Sequence, residues 1–143
     1  MTFQLIAPTT DLIHWTSGGI TGPVWLESEG RCFPEREWSD FSVAVVRGFV
    51  HFTNELITAP VGQRRLVRFL YGPFSVFLTR IDDEYLECST NSGGRLPDWT
   101  AVRPFAEWRA ALWSEAESIL DACTVNRWRS SDLDALTTLL AHG

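Results

Sequence analysis

The sequence predicts an α+β fold, in which an antiparallel sheet of about five strands carries helices packed on one face. Two observations predict this class. The elements come in runs along the chain, with strands first, then a helix, three strands and two helices. The alternation of strand and helix that builds a nucleotide-binding fold is missing, together with its glycines. Because 143 residues is the usual length of one domain, we expect a single α+β domain over residues 1–143.

The amino-terminal part is predicted to be mostly strand. Residues 2–8 form a short stretch that mixes apolar and polar side chains, which is typical of a first strand. Turn signals follow at residues 17–19 and 22–23, where glycine and proline cluster. The stretch VWLESEGRCF, residues 24–33, is predicted to be a strand or hairpin interrupted at Gly30.

Residues 41–58 are predicted to form the first helix. Their apolar side chains recur at steps of three and four, and Ser39 or Asp40 can cap the first turn. The valine-rich composition favours a strand instead, and Gly48 costs a helix about 1 kcal/mol relative to alanine. We prefer the helix, because the uninterrupted stretch is long for a strand.

The clearest β pattern lies in the middle of the chain. Side chains alternate over residues 64–71 and 74–81, with a Gly-Pro turn between them, and residues 84–89 complete a three-strand meander. Residues 89–98 are rich in serine, asparagine and glycine, and we expect an exposed loop there.

Two helices are predicted at the carboxyl end. Residues 104–126 begin with a proline that suits a first helical turn, and their apolar side chains follow one helical stripe. Ser131 and Asp134 have the spacing of a capping box, and leucines at short intervals then predict a terminal helix.

The charge balance restricts the possible partners. The chain has 18 acidic and 12 basic residues, a net charge of −6, and all its basic residues are arginine. A nucleic acid is not expected as a partner, because phosphate binding needs a basic face. The acidic balance fits either ordinary solubility or a basic protein partner.

The cysteines and the apolar segments indicate the compartment. Three widely separated cysteines predict neither a disulfide framework nor a zinc site. The amino terminus lacks the basic and apolar regions of a signal peptide, and the apolar stretch at residues 41–52 is too short to span a bilayer. We therefore expect a reduced, cytoplasmic protein that has no membrane partner.

Motifs of known enzymes and cofactor sites are missing from the sequence, so we expect no cofactor and no catalytic activity. The alternative is a small enzyme or ligand-binding domain whose site forms only in space. His14, His51 and Cys32 are its candidate residues, and Arg31 beside Cys32 can lower the pKa of that thiol.

Three consecutive acids, Asp82, Asp83 and Glu84, lie where the meander predicts a hairpin tip. Three interpretations remain open for them. Carboxylates can bind a hard cation, although the spacing of a calcium loop is missing. They can also form a solvated turn, or face a basic partner.

The segment RCFPEREWSDF, residues 31–41, is too charged for a core and unusually aromatic for a loop. Trp38, placed beside the helix cap, can hold the chain where it enters the helix. We expect Pro34, Trp38 and Phe41 to fix the start of the first helix while Glu35, Arg36 and Glu37 face water.

This segment also carries a resemblance. FPEREWSDF leading into an apolar helix, FLYGPFSVFL as a hairpin, and the Ser-Ser-Asp-Leu start of the last helix resemble small bacterial immunity proteins of contact-dependent growth inhibition and related polymorphic toxin systems. Phe33-Pro34 and Trp38-x-Asp40-Phe41 are the best matching pieces. The family shares no catalytic residues, so the resemblance implies a role and a location: neutralisation of a cognate toxin domain by non-covalent association in the cytoplasm.

Toxin nucleases need cationic surfaces, and an acidic inhibitor gains speed and specificity in covering them. We therefore expect a basic toxin domain as the partner of a monomer or homodimer. The acids expected to contact it are Glu35, Glu37, Asp40, Asp82, Asp83 and Glu84.

Overall fold

A computed structural model describes residues 2–142, which contain ten strands and three helices. The α+β class is confirmed, but a single sheet of about five strands is wrong. The described strands divide into a four-stranded antiparallel sheet and two three-stranded sheets. The elements are β1 (Gln4–Ile6), β2 (Ile13–His14), β3 (Ile20–Pro23), β4 (Trp25–Ser28), β5 (Arg31–Phe33), β6 (Ser39–Asp40), α1 (Ser42–Thr58), β7 (Arg64–Arg68), β8 (Ser75–Arg80), β9 (Tyr85–Asn91), β10 (Thr100–Pro104), α2 (Phe105–Val125) and α3 (Ser131–His142).

The four-stranded sheet has the order β10-β9-β8-β7 and contains the predicted meander. Buried side chains alternate along its central strands, with Val76 and Leu78 in β8 opposite Thr90 and Cys88 in β9. This face points into the core, and both α1 and α2 contact the sheet. The fourth strand, β10, was not predicted; it follows the expected loop and pairs with β9.

The two smaller sheets explain why one five-stranded sheet was the wrong prediction. β1 pairs with β4, and β4 pairs with β5 in the predicted hairpin, whose turn has positive φ at Glu29 and Gly30. β3 pairs with both β2 and β6. In the described part of the chain, these short strands do not pair with the strands of the meander, but they contribute Leu5, Leu26 and Phe33 to the same buried cluster.

Helix α1 confirms the helical interpretation of residues 41–58. Val43, Val46, Phe49 and Val50 are buried on one side of it, so the apolar spacing outweighs the strand preference of valine. The predicted cap is wrong, because the residue before the helix is Phe41 and no side chain caps its first turn.

Helix α2 places Trp108 at the centre of the core. This side chain is fully buried, its indole N–H donates to Thr53 Oγ1 at 3.1 Å, and its ring lies 4.8 Å from that of Phe3. Helix α3 covers the neighbouring surface with Leu133 and Leu136. Its first turn is capped by Ser130, whose hydroxyl accepts the backbone N–H of Leu133, and not by the predicted Ser131.

The three cysteines are free thiols. No helix within residues 2–142 is both long enough and apolar enough to cross a membrane.

Candidate functional site

The six acids predicted to contact a partner lie in three different environments. Asp40 is 0% exposed, whereas Glu35 and Glu37 are exposed in the turn between β5 and β6. The remaining acids, residues 82–84, are exposed at the tip of the β8–β9 hairpin. Only two of the three groups are therefore accessible to another molecule.

Asp40 is a structural residue. Its Oδ1 accepts the N–H of Phe41 at 2.7 Å, and its Oδ2 accepts the indole N–H of Trp38 at 3.1 Å and the N–H groups of Leu70 and Tyr71 at 3.1 and 3.2 Å. These four donors satisfy the buried carboxylate. The prediction that Asp40 contacts a partner is corrected, because its oxygens are enclosed and already bonded.

The segment 31–41 is held against the turn between β7 and β8. The ring of Trp38 meets Phe74 edge to face at 5.0 Å, and Phe33 meets Phe69 and Phe74 at 5.9 and 5.7 Å. Phe41 then occupies the position immediately before α1. The expected exposure of the intervening residues is confirmed for Glu35, Arg36 and Glu37. The segment thus connects the β7–β8 turn to the start of α1 and leaves Glu35 and Glu37 on the surface.

The tip of the β8–β9 hairpin has a defined geometry. Asp82 Oδ1 accepts the N–H groups of Glu84 and Tyr85 at 2.8 and 2.7 Å, which closes the turn. The carbonyl of Glu84 accepts the N–H of Phe105 at 2.7 Å, so the tip is bonded to the first residue of α2. Within residues 2–142, the carboxylates of Asp82, Asp83 and Glu84 form no ion pair.

The two exposed acidic groups lie at opposite ends of the four-stranded sheet. The segment that carries Glu35 and Glu37 is bonded to the β7–β8 turn through Asp40, and residues 82–84 form the next turn, at the other end of β8. A strand of six residues spans about 17 Å. The predicted acids therefore form two surfaces and not one.

A groove of about 820 Å³ opens beside the acidic tip. It lies where the end of α1, the end of β8 and the start of α2 meet. An apolar part comes from Ile57, Pro104, Phe105 and Ala106. The other side chains that line it are Asn54, Thr58, Arg80, Asp83, Glu84, Arg109 and His142.

The arginines of this groove are engaged within the protein. Arg80 Nη1 donates to the carbonyls of Leu56, Ile57 and Ala59 at 3.2, 2.8 and 3.1 Å, and so satisfies carbonyls at the end of α1. The guanidinium of Arg109 lies over the ring of Trp113 at 4.5 Å. The carboxylates of the groove are exposed, whereas the guanidinium groups contact backbone carbonyls and an aromatic ring, which are uncharged, and keep their positive charge.

His14, His51 and Cys32 lie outside this groove. His14 Nε2 is 3.1 Å from the carbonyl oxygen of Arg129, and its ring stacks on Trp128. His51 pairs with Glu55 one turn further along α1 at 3.0 Å. The histidines are thus engaged with different elements and do not meet at a common site.

Cys32 differs from the sequence-based expectation. Burial and the negative charge of Glu27 raise the pKa of this thiol and outweigh the opposing effects of Arg36 and of a hydrogen bond with Trp25. The expected lowering by Arg31 is therefore wrong. A thiol with a raised pKa holds less of the nucleophilic thiolate at neutral pH.

The hard-cation interpretation of residues 82–84 has no support from their geometry. Residues 2–142 contain no group of three or more histidine, cysteine or acidic side chains arranged to hold a metal ion. One carboxylate of the tip, that of Asp82, is also committed to the backbone of the turn.

No protein-family model matches the sequence, and no curated protein or solved structure is significantly similar to it.

Proposed function

We propose that this protein is an immunity protein, which binds a basic bacterial toxin domain non-covalently and neutralises it. The resemblance of residues 33–41 and of the elements that follow first suggested this role. The proposal places the toxin at the end of the sheet where the β8–β9 hairpin meets α1 and α2.

One observation carries the proposal. Asp83 and Glu84 are exposed, form no ion pair within residues 2–142, and border a groove with an apolar part. An apolar centre with charged residues around it is the usual composition of a protein interface. Unpaired acids at its edge attract a basic partner over a distance of about one Debye length, roughly 8 Å at physiological salt.

The proposal includes a location and a stoichiometry. The protein meets its toxin in the cytoplasm, as one copy or as a homodimer, and it needs no cofactor. The mass of the purified complex in solution, measured by light scattering, gives the stoichiometry directly.

The first test is copurification with the toxin domain encoded immediately upstream. The two chains are expected to bind at micromolar concentration or tighter and to elute as one complex. If they remain separate at that concentration, the proposed function is wrong.

The second test locates the surface by charge reversal. Asp83→Arg with Glu84→Arg is expected to slow association at low salt by about tenfold or more, since the steering charge changes sign. Glu35→Arg with Glu37→Arg is the matched control at the opposite end of the sheet and is expected to have a smaller effect. Equal association rates for both variants would remove the hairpin tip from the interface.

A second candidate function is a ligand-binding domain or small enzyme with a site formed only in space. The groove favours it, because its volume lies within the range of about 300–1,000 Å³ common for small-molecule sites and it includes Asp83, Glu84 and His142. A crystal structure with density for a retained small molecule in the groove would favour this function over toxin binding.

A further inference from the structure

The groove beside the hairpin tip is larger than one side chain needs. Its volume of about 820 Å³ is comparable with that of a site for a drug-sized molecule. Its apolar part is formed by Ile57, which is 37% exposed, together with Phe105 and Ala106. An occupant must therefore supply several apolar atoms to displace the water there.

The acids of the hairpin tip favour a cation over an anion at their edge of the groove, while Arg80 and Arg109 keep their positive charge in its lining. Arg80 already donates to three carbonyls at the end of α1, and Arg109 is stacked on Trp113. Asp83 and Glu84 are exposed and have no cationic partner within residues 2–142. A cationic group that enters gains two carboxylates without displacing an existing ion pair.

We propose that this groove recognises a short segment of the partner that presents an arginine or lysine next to a large apolar side chain. The apolar side chain packs on Ile57 and Phe105, and its cationic neighbour pairs with Asp83 and Glu84. This inference rests on the proposed function and extends it, since it states which groups on the toxin surface the protein recognises. Arginine suits the position best, because its planar head can bind a carboxylate through two hydrogen bonds.

The steric test fills the groove without changing the core. Ala106 is exposed on α2 and lines the groove, so Ala106→Phe occupies the space that the apolar side chain of the partner needs. We expect it to weaken toxin binding by about 30-fold or more, mainly through faster dissociation. Ser118→Phe is the matched control, because Ser118 is exposed on the same helix and lies outside the groove.

The charge test replaces the two carboxylates with uncharged amides of nearly the same size and shape. Asp83→Asn with Glu84→Gln retains the backbone bond between Glu84 and Phe105. We expect about a tenfold loss of affinity that diminishes as salt is raised. Glu35→Gln with Glu37→Gln is the control, and it is expected to change the affinity less than twofold.

A peptide probe tests the same chemistry without the toxin. The acetylated and amidated tripeptide Leu-Arg-Leu is titrated into the isotope-labelled protein at millimolar concentration while backbone amide shifts are recorded. We expect shifts at Ile57, Glu84 and Phe105 that saturate, and much weaker shifts with Leu-Glu-Leu. Ala106→Phe is expected to abolish the response to both.

The outcomes separate this inference from the proposed function. If the toxin binds equally well to wild type, Ala106→Phe and the Asp83→Asn, Glu84→Gln variant, the groove is not the recognition site, although the protein remains a toxin binder. If Leu-Arg-Leu binds in the groove but no toxin domain binds, the chemistry of the groove is supported and the proposed function is overturned. Equal shifts with Leu-Arg-Leu and Leu-Glu-Leu would overturn the preference for a cation.

Discussion

At the scale of single residues, Asp40 has the most consequential environment. It is a fully buried carboxylate that accepts four hydrogen bonds, from Trp38, Phe41, Leu70 and Tyr71. The donors come from the segment before α1 and from the turn after β7, so one side chain joins regions 30 residues apart. These bonds explain why an acidic residue stands two positions after Trp38 in the sequence.

Asp40→Ala is expected to lower the free energy of unfolding by about 3 kcal/mol, since it leaves several buried donors without an acceptor. Denaturation with urea, followed by tryptophan fluorescence, measures the change. Glu35→Ala, which removes an exposed carboxylate from the same segment, is expected to change stability by less than about 0.5 kcal/mol. A similar small loss for both variants would contradict the structural role of Asp40.

Cys88 lies fully buried in β9, opposite Leu78. Burial, followed by the charge of Glu87, raises the pKa of this thiol above its ordinary value of 9.0. The folded state keeps the proton, whereas the unfolded chain releases it near its ordinary pKa. Stability from this group is therefore complete below pH 9 and decreases as the pH rises further.

Between about pH 9 and 10.5, wild type is expected to lose stability faster than Cys88→Ala, with a difference of up to about 1.4 kcal/mol per pH unit. Urea denaturation at a series of pH values gives both slopes. The alanine variant starts from a lower stability because of the cavity, but the slope is independent of that offset. Parallel slopes would show that Cys88 ionises equally in both states.

At the scale of elements, the start of α3 offers a test between adjacent serines. The sequence spacing indicated Ser131 as the cap, and the hydroxyl of Ser130 occupies that role. We expect Ser130→Ala to destabilise the protein by about 1 kcal/mol and Ser131→Ala by less than about 0.5 kcal/mol. Thermal unfolding of the two variants measures the difference. A larger loss of stability in Ser131→Ala than in Ser130→Ala would show that Ser131 is the cap, as the sequence spacing indicated.

The local periodicity of apolar residues was sufficient to predict the three helices and the three strands of the meander. The buried side of α1 and the alternation in β8 and β9 are patterns within one segment, and both predictions are confirmed. β10 was missed because its five residues lie between a loop and a helix and have no clear alternation. The division into three sheets depends on pairings such as β1 with β4 and β3 with β6, which no local pattern specifies.

At the scale of the whole molecule, the net charge of −6 affects how a partner arrives. If the partner is basic, the association rate should fall by about tenfold between about 20 and 500 mM salt, while the dissociation rate changes little. Stopped-flow or surface-based kinetics at several salt concentrations measures both rates. An association rate that is independent of salt would exclude electrostatic steering.

The candidate site could be predicted only in part from the sequence. The acids at residues 82–84 were recognisable because they are consecutive and follow a strand pattern. Ile57, Arg80 and Phe105 belong to three separate elements and meet only after folding. Asp40 was wrongly predicted to be a surface contact. Its sequence neighbours do not indicate that two backbone N–H groups of a distant turn bind its carboxylate.

The bonds that tie the hairpin tip to both helices have a consequence for the speed of recognition. The carbonyl of Glu84 is bonded to Phe105 at the start of α2, and Arg80 below the tip is bonded to the end of α1. The backbone of the tip is therefore held before any encounter, so docking needs to order only the exposed side chains of Asp83 and Glu84. If the tip is the binding surface, we expect the complex to form in one step, with association kinetics that show no slow rearrangement after contact.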